Sequence, residues 1–140
     1  MAQSAQAAVK EFSFSLDAHS GVPVYRQLID QVQAGVAAGL LTPSQQLPTV
    51  RQVAVDLTIN PNTVQRAYRE MEIRGILETQ QGIGTFISNK KIERSRDEHA
   101  RKLAQVTGDF VARAGAGGFT VQELIDSLRD LLPKAANRRG

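Results

Sequence analysis

A mainly α-helical fold with one small β-hairpin is what the sequence predicts, and three observations predict it. Apolar residues recur at helical spacing in several separate stretches. Glycine, proline and capping residues stand between those stretches. The one pair of strand-like runs, Ile76–Thr79 and Gly84–Ser88, is joined by a short link in which Gly82 and Gly84 supply the turn freedom. The spacing divides the chain into an N-terminal arm (1–22), a helical domain closed by the hairpin (23–88) and a helical tail (89–140).

In chain order, residues 1–11 are expected to be poorly ordered. Phe12, Phe14 and Leu16 then alternate with polar neighbours, the period of a short strand or of an extended arm laid on a domain. Asp17–Gly21 is a turn. Pro23 opens a helix in which Tyr25, Leu28, Ile29, Val32 and Val36 keep helical spacing as far as Gly39, although Val22 offers no side-chain acceptor for its first N–H groups. Leu40 and Leu41 lead into the loop Thr42-Pro43-Ser44.

The next forty residues hold the central element. Pro48 keeps Leu47 extended, and Thr49 followed three residues on by Gln52 has the form of a capping box, so a helix begins at Val50 with Val53, Ala54 and Leu57 on the same face. Thr58 and Ile59 interrupt it. Asn60 offers a capping oxygen and Pro61 suits the first helical position, where no N–H is needed, so another helix begins there. Val64, Ala67, Tyr68, Met71 and Ile73 are its inward candidates; Asn62, Thr63, Gln65, Arg66 and Arg69 are left outside. Gly75 stops it, and the hairpin follows. Two short helices, a tight turn and a hairpin make a helix-turn-helix with a wing, and the outward set is rich in groups that read bases, so the function expected is DNA binding.

Beyond the wing, Ile92, His99, Leu103, Val106 and Phe110 recur along a helix from about Lys91 to Ala114, broken by Gly115–Gly118. Thr120 with Glu123 forms a further capping box, and Phe119 is placed to staple against Leu124. The last helix carries Val121, Leu124, Ile125, Leu128, Leu131 and Leu132 on one stripe and stops at Pro133, after which Ala135–Gly140 should fray. Two such helices cannot bury both stripes between themselves and water. They need the winged domain or a second copy of the pair, and the second copy is the favoured reading. The tail is therefore expected to dimerise through Leu103, Val106, Phe110, Leu124, Leu128 and Leu131.

Three spaced pieces within Pro23–Ile87, namely LPTVRQVA, NPNTVQRAY and QGIGTF, resemble the GntR family of bacterial winged-helix repressors. That family's pattern runs close to LPSxRxLA, then NxxTVxRAYxxLxxxG, then RGxGTF/YV. Thr49 replaces the usual Ser and keeps the cap; Gln81 stands where an Arg is common in the wing and removes a charge that would enter the minor groove. The short two-helix tail resembles the YtrA subfamily, whose tail is a dimerisation module and not a ligand-binding domain. The resemblance implies a cytoplasmic, homodimeric repressor on an inverted-repeat operator, with membrane-transport genes among its targets. It places Arg51 at DNA, and Asn60, Asn62, Thr63 and Gln65 at the start of the recognition helix.

The residues themselves qualify those roles. Capping alone accounts for Asn60, whereas Asn62 and Gln65 have no structural need and would pair well with adenine. Arg66 reaches phosphate or base, and Arg69, a turn further on, phosphate or solvent, while Tyr68 is read as core with its hydroxyl at the DNA face. Gln81 and Gly82 either meet the minor groove or backbone or form a plain turn. Lys90 and Lys91 are either phosphate contacts or a solvated charge run.

Composition narrows the classes. A chain of 140 residues, 41% hydrophobic, holds one domain and a small appendage. With no cysteine there is no disulfide framework and no thiolate metal site. No apolar run has membrane length, and the Ala-rich start lacks the form of a signal peptide, so a cytoplasmic protein with no membrane partner is expected. Residues 23–88 balance five arginines (Arg26, Arg51, Arg66, Arg69, Arg74) against five acids (Asp30, Asp56, Glu70, Glu72, Glu78), while residues 89–102 carry six basic groups against three acidic ones. His19 and His99 are far apart, Gly82-Ile83-Gly84 lacks the context of a dinucleotide site, and Gly115–Gly118 lacks a P-loop lysine. No metal, cofactor or catalytic set is expected, and no effector ligand can be named. The rival to a DNA-binding regulator is a winged-helix partner module, which the neutral charge of the domain favours.

Overall fold

Leu28, Ile29 and Val32 lie on one stripe of a 3.6-residue repeat, and helix α1 (Val24–Ala38) turns that stripe wholly inward. The computed structural model describes residues 12–133; the expectations for residues 1–11 and for Ala135–Gly140 fall outside them. Helix α1 follows Pro23 without any side-chain cap and ends at Gly39, whose φ of 83° is the left-handed conformation that glycine adopts at low cost. Phe12, Phe14 and Leu16 form no strand. They run extended and half-buried against the core, with the two phenyl rings edge to face at 5.0 Å. Gln31 receives the Ser15 N–H at 2.8 Å and donates to the Ser15 carbonyl at 2.7 Å, and Gln27 holds Asp17 in the same two-bond manner.

Helix α2 (Val50–Leu57) starts where Thr49 accepts from the Gln52 N–H. Only this forward half of the expected capping box forms. The helix closes at Thr58, held left-handed at φ 57° while its N–H is bonded to the last turn. Helix α3 (Pro61–Ile73) is capped by Asn60 with Pro61 in the first turn, and it buries Val64, Ala67, Tyr68 and Met71 against α1, α2 and the hairpin. Ile73 does not face inward as expected: it is 75% exposed. At 100° per residue it sits nearly opposite the stripe centred between Val64 and Met71.

The hairpin strands are β1 (Leu77–Gln80) and β2 (Gly84–Ile87), paired antiparallel with Leu77 opposite Ile87. β1 starts one residue later than expected, because the Ile76 N–H is taken by the Met71 carbonyl at the helix end. A third extended run was not foreseen. Ser44–Leu47 lies along the free edge of β2, with Ser44 N–H to Ile87 O at 2.8 Å, Ile87 N–H to Gln45 O at 2.8 Å and Leu47 N–H to Thr85 O at 2.9 Å. The wing is thereby tied to the chain just ahead of α2. Leu41, Leu47, Leu77 and Ile87 complete the core.

A separate compact unit spans Lys91–Leu132. Helix α4 (Arg96–Ala116) starts five residues later than expected, because Ser95 caps it by accepting from the Glu98 N–H. Ile92 therefore lies outside the helix, 77% exposed. Helix α5 (Val121–Arg129) has the complete Thr120–Glu123 capping box. Neither helix buries a single residue. Among the described residues, no helix is long and apolar enough to cross a membrane.

Candidate nucleic-acid interface

The first turns of α3 carry the polar groups, and what those groups bond to decides what they can do. The Asn60 side-chain oxygen accepts from the Asn62 N–H at 2.8 Å, so its acceptor is committed to starting the helix. Asn62, Gln65 and Arg69 project from the face opposite the core, and Arg51 stands exposed on α2. Among the described residues, none of these four side chains makes a hydrogen bond or an ion pair, which leaves their donors and acceptors open to a ligand. Thr63 is half-buried at the border of that face.

Arg66 is placed differently from its neighbours. Its guanidinium carbon lies 3.8 Å from the centroid of the Tyr25 ring on α1, a cation–π contact that fixes the side chain across the α1–α3 seam. Tyr68 also departs from expectation. Its hydroxyl is not presented outward; it donates to the Pro48 carbonyl at 2.6 Å, locking α3 to the turn that begins α2. Burial pushes the Tyr68 hydroxyl well above the usual phenol range, because a buried phenolate would lose its hydration. The geometry between the two helices of the motif is thus set by a bond that sequence reading had left available for DNA.

At the wing tip Gln81 and Gly82 are exposed, with Gly82 at φ 76°, and Ile83 between the two glycines is 66% exposed. The Ile83 N–H closes the turn onto the Gln80 carbonyl at 2.9 Å. Gln46, which sequence reasoning passed over, donates its side-chain amide to the Ile83 carbonyl at 3.3 Å and lies where a Cβ on Gly84 would stand. Gly84, at φ 150°, is favoured by its backbone, and a side chain there would also displace the Gln46 amide. Thr79 in β1 hydrogen-bonds to Glu72 of α3, so the wing is also tied to the helix.

The charges are mostly committed. Arg26 pairs with Asp30 at 3.6 Å and Arg74 with Glu70 at 3.1 Å, each across one helical turn. With Arg66 on Tyr25, only Arg51 and Arg69 of the domain's five arginines are unengaged among the described residues.

In the other unit, Leu103, Val106, Phe110, Leu128 and Leu131 are exposed and Leu124 is half-buried. Phe110, Phe119 and Leu124 line a cleft of about 560 Å³ between α4 and α5, with Arg113 and Glu123 among its polar lining.

A capped recognition helix presenting unbonded amide and guanidinium groups, packed on a second short helix and flanked by a hairpin wing, defines a winged-helix DNA-binding transcriptional regulator. Residues 24–87 match the pattern of the bacterial regulatory proteins of the gntR family. The chain is 44% identical over 116 residues to the HTH-type transcriptional repressor YtrA of Bacillus subtilis, covering 83% of this chain and 89% of that one. It is 36% identical over 112 residues to YhcF, an uncharacterised HTH-type transcriptional regulator of the same organism, covering 79% and 90%. A transcriptional regulator from Oenococcus oeni superimposes with a TM-score of 0.53 at 32% identity, covering 84% of this chain and 97% of that one. The chain belongs to the GntR family, as a YtrA-like member.

Proposed function

We propose that the protein is a cytoplasmic repressor that binds an inverted-repeat operator as a homodimer and occludes a promoter, with membrane-transport genes as its targets. The observation that carries the dimer is the uncovered apolar stripe of α4 and α5, whose side chains face water in a single chain. Two tails covering one another set two copies of α3 apart along the duplex, and a two-fold protein matches a two-fold operator. Within each half-site Asn62 and Gln65 read base edges. Arg51 contacts DNA from α2, Asn60 and Thr63 fix the start of α3 near the backbone, and Arg66 reaches phosphate from its seat on Tyr25. Gln81 and Gly82 approach the minor groove. The arm (1–22), the winged domain (23–88) and the tail (89–140) divide these tasks into support, reading and pairing. Repression is supported by the relative YtrA, itself a transcriptional repressor.

The test is a fluorescence-anisotropy titration of the full chain against the DNA upstream of its own gene and against a scrambled duplex, at two salt concentrations. The proposal expects tighter binding to the native sequence at both salts, with a stoichiometry of two chains per site. Equal binding to both duplexes, or one chain per site, would overturn it.

A further inference from the structure

The winged domain has a charge problem that the residues following it resolve. Attraction to a duplex without regard to sequence comes from cations that displace phosphate counterions. Yet residues 23–88 are neutral overall, and Arg26 and Arg74 are already paired internally. Beyond β2 the balance changes. Lys90, Lys91 and Arg94 stand in an irregular, exposed stretch with Glu93 as its only acid, and among the described residues none of the three has an anionic partner. The acids that follow, Asp97 and Glu98, occupy the first turn of α4, where they complement the helix dipole.

The stretch does not swing freely at its start. The Ser88 N–H bonds to the Ile76 carbonyl at 2.9 Å, the Ser88 hydroxyl reaches Glu78 at 3.3 Å and the Lys90 N–H bonds to that hydroxyl at 3.1 Å. Lys90 is therefore anchored at the base of the wing. The hairpin spans four residues from Gly84 at the tip to Ile87 at the base, on the order of 10 Å of strand. Lys90 stands at that base within the winged unit, and Lys91 and Arg94 follow it within four residues of chain.

We propose that Lys90, Lys91 and Arg94 form a second duplex-binding surface, one that grips the phosphate backbone without reading sequence. It rests on the DNA-binding reading of α3 and the wing and supplies the general affinity that their neutral charge withholds.

The experiment compares the full chain with Lys90→Gln/Lys91→Gln/Arg94→Gln and with the charge-retaining Lys90→Arg/Lys91→Arg. Each is titrated against the upstream DNA and against a scrambled duplex over about 50 to 200 mM salt. Each lost phosphate contact lowers the slope of log K against log salt by about 0.9, so the triple variant should lose roughly 2 to 3 units of slope per chain. Affinity should fall by the same factor for both duplexes, leaving their ratio unchanged, and the charge-retaining variant should match the wild type. A triple variant that keeps the wild-type slope would overturn the proposal, as would one that loses affinity for the upstream DNA alone. A wild type that binds neither duplex at the lowest salt would instead remove the DNA reading on which the proposal rests.

Discussion

Helices α3 and α5 are made by the same local rules and end in opposite states. Each is capped by a side chain on its first residue's N-terminal side, and each carries an apolar stripe at helical spacing. Yet α3 buries Val64, Ala67, Tyr68 and Met71 completely or nearly so, while α5 buries nothing. The difference lies in what stands opposite. α1, α2 and β1 surround α3, whereas within its own unit α5 has only α4 for company. An apolar stripe thus states a need for cover without stating its source, and the same pattern is a core in one place and an uncovered face in another.

Leu128 is 50% exposed in the single chain, so Leu128→Asp should cost that chain little yet abolish a dimer in which the leucine is buried. Sedimentation should then give the 15.2 kDa of one chain, with operator affinity falling as a consequence. A variant still sedimenting as a dimer would place the interface elsewhere. The corresponding change in the core is Met71→Ala, which opens a cavity at a fully buried position and should destabilise the winged domain by about 2–5 kcal/mol in denaturant titration while leaving the tail's association intact. A loss under about 1 kcal/mol would mean that the site collapses around the smaller side chain.

Arg51→Ala and Gln65→Ala separate DNA contact from folding. Both side chains are exposed and unbonded, so stability should hold while operator binding weakens by about 1–3 kcal/mol for a good base contact. Unchanged affinity in both would remove the DNA-contact roles. The smallest effect is expected from Tyr68→Phe, which leaves the Pro48 carbonyl without its hydroxyl donor and should cost about 1 kcal/mol. Its sign with pH is fixed. The folded hydroxyl titrates above its unfolded value near 10, so the stabilisation is complete below about pH 10 and is lost as the pH rises beyond it. Chemical denaturation of both proteins across that range should show the gap between them closing.

The elements that were legible in the sequence are those whose causes are local. Thr49, Asn60 with Pro61, and Thr120 with Glu123 mark helix starts because a cap bonds to backbone only two or three residues away. Ser95 with Glu98 carried the same signature, but a helical period extended back to Ile92 hid it. What stayed hidden depends on distant chain. Gln46 meets a carbonyl 37 residues on, Gln31 meets Ser15, and Arg66 finds Tyr25 only once α1 is packed on α3. Amide side chains that bond to irregular backbone leave no periodic trace. The outward set on α3 was legible from the face opposite the core, while the direction taken by Tyr68's hydroxyl was not, since the Pro48 carbonyl lies 20 residues back.

The Tyr68 lock has an optical consequence. The chain has no tryptophan, and its two tyrosines, Tyr25 and Tyr68, both belong to the winged unit, so its tyrosine emission originates there alone. Far-ultraviolet dichroism, in contrast, counts the helical turns of α4 and α5 as fully as those of α1 to α3. Melting followed by both signals on one unlabelled sample therefore distinguishes loss of the winged unit from loss of α4 and α5, with no reporter group introduced.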